Sequence, residues 1–257
     1  MCLAVVALGV HPRYAVVIAA NRDEFHARPA APAQWWDEGW LGGRDLAGGG
    51  TWLGVTRAGR WAFLTNVRDP AGFDPRAPSR GALVTRALVE PGAAAAVVAT
   101  IVAASRGHNG FNLVGGDAAD AHWGSNRGDG ARALAPGIHG LSNHLLDTPW
   151  PKVVRTKAAV AAWCADAGDE RDLEPLFAIL GDRTAAADSD LPATGLPLPR
   201  ERLLSAPFIV SDAYGTRCST LLTIARDGAA HLVERSFDPE GRATGDVDIR
   251  FSLSALR

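Results

Sequence analysis

A cysteine stands at position 2, directly after the initiator methionine. Small residues at that position generally permit removal of the methionine, after which the cysteine carries a thiol and a free α-amino group. The thiolate is the reactive form, and an α-amine with a reference pKa of about 7.7–8.0 can take the thiol proton near neutrality. Such a pair needs no histidine–aspartate triad. Position alone favours Cys2 as a small apolar residue opening a buried strand, so its neighbours carry the argument.

Those neighbours depend on the elements that position them. The apolar runs from Cys2 to Leu8 and from Tyr14 to Ala20 flank Gly-Val-His-Pro-Arg and predict a hairpin. With the turn centred between His11 and Pro12, antiparallel partners sum to about 23, which sets Cys2 opposite Asn21 and beside Arg22 and Asp23. Arg22 can lower the thiol pKa and Asp23 can orient the α-ammonium. Without that context, an adjacent Arg and Asp read as a surface ion pair. A second hairpin, Thr51 to Thr56 and Trp61 to Asn66, ends on Asn66. The stretch from Trp35 to Gly50 between the hairpins reads as an irregular packed loop. Asn143, Tyr214 and Arg217 also fall at strand ends. An Asn amide there can donate to a developing oxyanion, or it can simply cap the chain.

Helices are expected over Ser79 to Glu90 and Gly92 to Ser105, from Thr148 (as N-cap, with Pro149 first) to Ala165, and over Leu173 to Leu180. Short strands are expected at Phe111 to Val114, Ala121 to Trp123, Gly137 to Leu141, Phe208 to Val210, Cys218 to Ala225, His231 to Arg235 and Asp248 to Leu253. Thr184 to Arg200 reads as a Pro-rich irregular excursion that does not divide domains. The result is one α+β domain over residues 1–257: two antiparallel sheets face each other with helices outside.

Composition narrows the partners. With 26 Lys+Arg against 28 Asp+Glu there is no basic excess for nucleic acid. Three cysteines give no disulfide framework and point to a reducing, cytoplasmic setting. The opening apolar run has no basic start and breaks at His11-Pro12-Arg13, unlike a signal peptide. The run from Ala93 to Ala104 is well short of the ~20 residues of a membrane helix, so no integral membrane segment is expected. No close Cys or His pairs suggest a metal site, and no CxxCH haem attachment occurs. Trp35, Trp36, Trp40 and Trp52 either line an apolar ligand cleft or fill the core.

Taken together, the motifs resemble a known family. MC at the start, AANRDEF with Arg28-Pro29, GGGTWLGVT, LTN, the RG of Arg80-Gly81, HNGFNLV, GLSN with TPW, and YGTRCST are similar to the NRDE, or Transport and Golgi organisation protein 2, family, from Met1 to about Leu253. That pattern is in turn similar to the N-terminal nucleophile hydrolases of the choloylglycine hydrolase, penicillin V acylase and acid ceramidase group, with a four-layer αββα fold. The resemblance implies Cys2 as nucleophile and amine base, Arg22 and Asp23 as partners, Asn66 and Asn143 as oxyanion and amine-positioning residues, and Arg217 as the late arginine. Asn21, Trp52, His26, His144 and Tyr214 adjoin these positions as ligand-binding candidates. The implied chemistry is cleavage of a non-peptide amide or thioester, with no cofactor required. The family's link to haem movement and acyl-lipid metabolism implies, as the alternative, a haem or acyl-lipid carrier using the same cleft. In the acylase group two residues separate the Arg from the Asp. Here they are adjacent, and a strand sends adjacent side chains to opposite faces.

Overall fold

The computed structural model describes residues 3–166 and 172–254. Cys2 lies outside the described residues. The first sheet has six antiparallel strands in the order β10 (Gly137–Leu141), β1 (Leu3–Leu8), β2 (Tyr14–Phe25), β11 (Tyr214–Ala225), β12 (Ala229–Phe237), β13 (Ala243–Ser252). The second has seven in sequence order: β3 (Ala30–Trp35), β4 (Trp40–Asp45), β5 (Leu53–Thr56), β6 (Trp61–Asn66), β7 (Phe111–Gly116), β8 (Ala121–Ser125), β9 (Gly130–Ala133).

Because strand side chains alternate, each sheet buries both faces, and the central strands are continuous apolar runs. Val6, Ile18 and Leu222 meet Trp61, Phe63 and Val114 between the sheets. Val5, Val17 and Leu221 pack outward on helices α3 (Pro151–Ala165) and α4 (Glu174–Leu180) through Val160, Leu176 and Leu180. Trp40, Leu64 and Leu113 pack outward on α1 (Gly81–Val89) and α2 (Ala94–Ala104) through Leu88, Val98 and Ile101. Each such aliphatic side chain contributes about 1.5–3 kcal/mol by burial. The four layers run α, β, β, α, the expected architecture. Among the described residues, no helix is long and apolar enough to cross a membrane.

Several expectations are corrected. The first hairpin pairs Leu3 with Asn21, one residue away from the expected register, because its turn is centred on Pro12 and not between His11 and Pro12. The supposed loop from Trp35 contains the end of β3 and all of β4. Pro32 is tolerated because β3 is an edge strand with an irregularity between Ala31 and Gln34. Helix α3 is capped at Trp150 with Pro151 in its first turn, two residues later than expected. Thr148 instead donates its hydroxyl to the Leu145 carbonyl. Phe208 to Val210 is not a strand. The excursion from Thr184 is mostly irregular, but it holds a short helix, α5 (Leu198–Leu203), whose Glu201 is buried against Arg68 at 2.7 Å.

Candidate functional site

The β2–β11 ladder determines where the NRDE segment points. Asp23 pairs with Thr216 and Arg22 with Cys218, so Arg217 is an extra residue bulged out of β11. The bulge lets Arg22 and Asp23 keep strand partners while facing opposite ways. Asp23 accepts the Thr216 hydroxyl at 2.7 Å. Arg22 enters the layer between the sheets and stacks on Trp52, its guanidinium carbon 4.4 Å from the ring centroid. Both expected partners are thus buried, on different faces, as adjacency requires.

The seat of Trp52 is shaped by β4. A Cβ on Gly43 would stand 2.1 Å from the Trp52 ring, so only glycine leaves room for the indole there. Behind Arg22 lies Glu234 of β12, 1% exposed, which accepts the Ala33 N–H at 2.8 Å and the Thr220 hydroxyl at 2.9 Å. Burial raises the Glu234 pKa, opposed by hydrogen bonds from Thr220, Ala33 and the Cys218 thiol and by the charge of Arg22. Burial also pushes the Cys218 thiol well up, as does the Glu234 charge, so Cys218 is held as a neutral thiol.

Asn66 and Asn143 come together: the Asn143 amide donates to the Asn66 carbonyl at 3.2 Å, and the Asn143 carbonyl accepts the Arg68 N–H at 2.7 Å. The loop carrying Ser142 and Asn143 is tied down by Asp147, which has a left-handed φ of 58°. Its carboxylate accepts from His139 Nδ1 at 3.0 Å, Lys157 Nζ at 2.5 Å and the Gly140 N–H at 2.8 Å. Burial pushes the Asp147 pKa up, but these donors outweigh it and hold it at about 2. The Asp147 hydrogen bond correspondingly raises His139. A depressed carboxyl stabilises the fold above its unfolded pKa, and that contribution is lost as pH falls toward 2. A raised histidine stabilises below its unfolded pKa and loses that contribution as pH rises through the folded value. The loop is therefore expected to be tightest from about pH 4 to 6.5. Asp147→Asn should cost roughly 1 kcal/mol there, after discounting for solvent screening at this half-exposed group. Urea unfolding at pH 5 and pH 2 tests this: an equal cost at both pH values refutes the assignment.

Two adjoining pockets that share four lining residues form a cleft beside Arg22, Trp52 and Asn66, whereas Asp23, Asn143, Asp147 and Glu234 do not line it. One chamber, of about 200 Å³, is polar and is lined by Arg22, Arg28, Asp45, Trp52, Asn66 and Arg80, among others. Arg28 is occupied by Asp45 at 2.7 Å. The second, of about 490 Å³, shares Asn66, Phe73, Arg80 and Asn109 with the first and is walled by Val67, Leu196, Pro197 and Leu204. Leu196 and Pro197 come from the Pro-rich excursion and Leu204 caps the helix that ends it, a segment that carries no functional motif in the sequence. Its leucines, spaced among prolines, were the available signal.

Other candidates do not converge here. Asn21, fully buried, donates to the Leu180 and Pro207 carbonyls and accepts from Ser219, which anchors β2 to the helical side. Arg217 donates to the carbonyls of Phe25, His26 and Arg28 and so clamps the turn after β2 outside the cleft. His26 hydrogen-bonds the Ser211 carbonyl, and His144 pairs with Thr148 and lies tilted against Trp150. Tyr214 packs edge-on against Phe25. Among the four clustered tryptophans only Trp52 lines the cleft. Trp40 is core under α1 and α2, Trp36 packs on Trp40, and Trp35 packs on Phe251. Lys152, 1% exposed in the first turn of α3 beside Val153, which packs on Leu3, is a buried cation the sequence did not mark. Among the described residues, no group of three or more His, Cys, Asp or Glu side chains could hold a metal ion.

Comparison with known proteins places these features in a lineage. The family model for Transport and Golgi organisation 2 matches residues 1–239. The chain is 34% identical to the Transport and Golgi organization protein 2 homolog of Bos taurus over 242 residues, and 32% identical to the Homo sapiens homolog over 241, covering 87% of each chain in both cases. Among solved structures it is similar to the C2A mutant of conjugated bile acid hydrolase from Clostridium perfringens, with a TM-score of 0.50, 8% identity, and coverage of 97% of this chain and 92% of that one. That likeness concerns the fold, which is that of the N-terminal nucleophile hydrolases. With the family model matching nearly the whole chain and relatives more than 30% identical over most of its length, the protein belongs to the Transport and Golgi organisation 2 family.

Proposed function

We propose that the protein is a cysteine acyl-transfer hydrolase acting on a non-peptide amide or thioester, with Cys2 exposed by loss of Met1. The supporting observation is the setting of the described start of β1. Leu3 pairs with Asn21 on one side, Ala4 pairs with Leu141 on the other, and the buried Asp23, Ser142 and Asn143 follow directly along those two strands. Position 2 precedes Leu3 by one Cα step of about 3.8 Å. The α-amine takes the thiol proton, and the thiolate attacks the carbonyl carbon. Asn143 and Asn66 supply amide donors to the oxyanion, and the amine or thiol leaves with a proton returned from the α-ammonium. Water then releases the acid from the acyl-cysteine. This chemistry needs no cofactor or metal, and a reduced thiol fits a cytoplasmic setting.

Intact mass of the protein from its native source is the first test. Loss of one methionine licenses a screen of amides and thioesters, whereas retained Met1 blocks the amine and overturns the mechanism. A second reading, a carrier for haem or an acyl lipid in the same cleft, is favoured by the apolar walls of the larger chamber. A haem titration of the wild type with no Soret shift removes its haem version.

A further inference from the structure

Two donors that line the polar chamber have no acceptor among the described residues. Arg22 Nη1 and Trp52 Nε1 are both closed off from solvent and make no hydrogen bond. Their residues are 4% and 6% exposed and both line the chamber. No described carboxylate forms an ion pair with Arg22. The charges of Asp45 and Glu234 are felt across a distance, but Asp45 is bound to Arg28 and Glu234 to Ala33 and Thr220. A buried guanidinium held only by an indole face, beside a second orphaned donor, is costly unless something supplies oxygen lone pairs. Asn66, whose side-chain amide has no described hydrogen-bond partner, lines the same space.

The inner chamber, at 200 Å³, holds about seven water-sized groups. It is too small for a bulky head. Glu24, Asp45 and Asp74 also line it and match its three arginines, Arg22, Arg28 and Arg80, one for one, so the lining carries no surplus of positive charge and a dianion is disfavoured. We infer that this end of the cleft receives a single carboxylate, taken by Arg22 Nη1 and Trp52 Nε1 after a small rotation of the stacked pair, while the apolar body of the ligand occupies the chamber walled by Phe73, Leu196 and Leu204. The inference rests on the reading of this cleft as the ligand site and names the ligand class: an apolar monocarboxylic acid. The acid released by the proposed reaction is itself such a molecule.

The test uses the full chain carrying Cys2→Ala, so that failure of the cysteine chemistry does not touch it. Octanoate, octanamide and octyl phosphate are titrated by calorimetry below their micellar concentrations. Octanoate is expected to bind at least tenfold tighter than octanamide and tighter than octyl phosphate, with affinity falling as salt rises. Trp52→Phe, which keeps an aromatic face but removes the N–H, is expected to weaken octanoate about tenfold and to leave octanamide unchanged. Arg22→Gln should abolish the preference for the acid, and thermal unfolding of each variant reports whether it folds. Equal binding of acid and amide, tighter binding of the phosphate, no binding of any probe, or an unaltered octanoate affinity in folded Trp52→Phe each overturns the inference.

Discussion

Replacing Cys2 by Ala is expected to bring turnover of any accepted amide or thioester down to background, a loss on the order of 10⁴-fold or more, because the nucleophile and the acyl-enzyme both vanish. Cys2→Ser should retain a trace, since the α-amine remains but a hydroxyl is far harder to ionise than a thiol. Burst kinetics and mass spectrometry of a quenched reaction should find the acyl group on residue 2 in the wild type. Full turnover by Cys2→Ala eliminates the mechanism. Folding should survive the change, because the two sheets are held by Val6, Ile18, Trp61 and Phe63 rather than by the extreme amino terminus. Matching thermal unfolding curves would separate loss of chemistry from loss of structure.

Glu234→Leu is expected to lower the unfolding free energy by about 3 kcal/mol, the largest single-site stability effect anticipated here. Glu234 on β12 accepts the N–H of Ala33 on β3 and so ties one sheet to the other across the core, while its second oxygen takes the Thr220 hydroxyl. Leucine fills the space but leaves both buried donors without acceptors. Glu234→Gln keeps one acceptor and should cost about 1 kcal/mol at low pH. The sign of its pH dependence follows from the raised pKa. The folded state holds the proton more tightly than the unfolded chain, so wild-type stability falls as pH rises from the unfolded pKa through the folded one. Glutamine carries no such penalty, and its deficit should shrink between pH 4 and pH 7. Urea denaturation at both pH values decides this. A deficit that grows with pH would mean that Glu234 is ionised and stabilising beside Arg22.

Local patterning made much of this protein legible in the sequence. The apolar runs of β1 and β2, the amphipathic spacing of α1 and α2, and the Asp227-Gly228 turn, where Gly228 adopts φ 86°, are short-range signals that the fold obeys. The same holds for the NRDE segment, where alternation alone requires Arg22 and Asp23 to face opposite layers. Strand β4 was illegible because its glycines carry no β propensity. Gly42 and Gly43 are there to let Leu53 and Trp52 approach, a demand that comes from a neighbouring strand.

The candidate residues themselves were named by their sequence, but their convergence was not. Asn66 and Asn143 are far apart in the chain and meet through one hydrogen bond, and their loop is fixed by Asp147, His139 and Lys157. Arg217 has the right chemistry, yet a bulge in β11 turns its side chain to the carbonyls after β2. Leu196 and Pro197 read as surface excursion and become a wall of the cleft. Residue types and local periodicity determined the strands, the helices and the inventory of reactive groups, because those follow from interactions a few residues apart. The register of each ladder, the bulge, and the meeting of distant loops were decided only in the tertiary structure. They depend on which surfaces exclude water together, and no window of sequence contains that information.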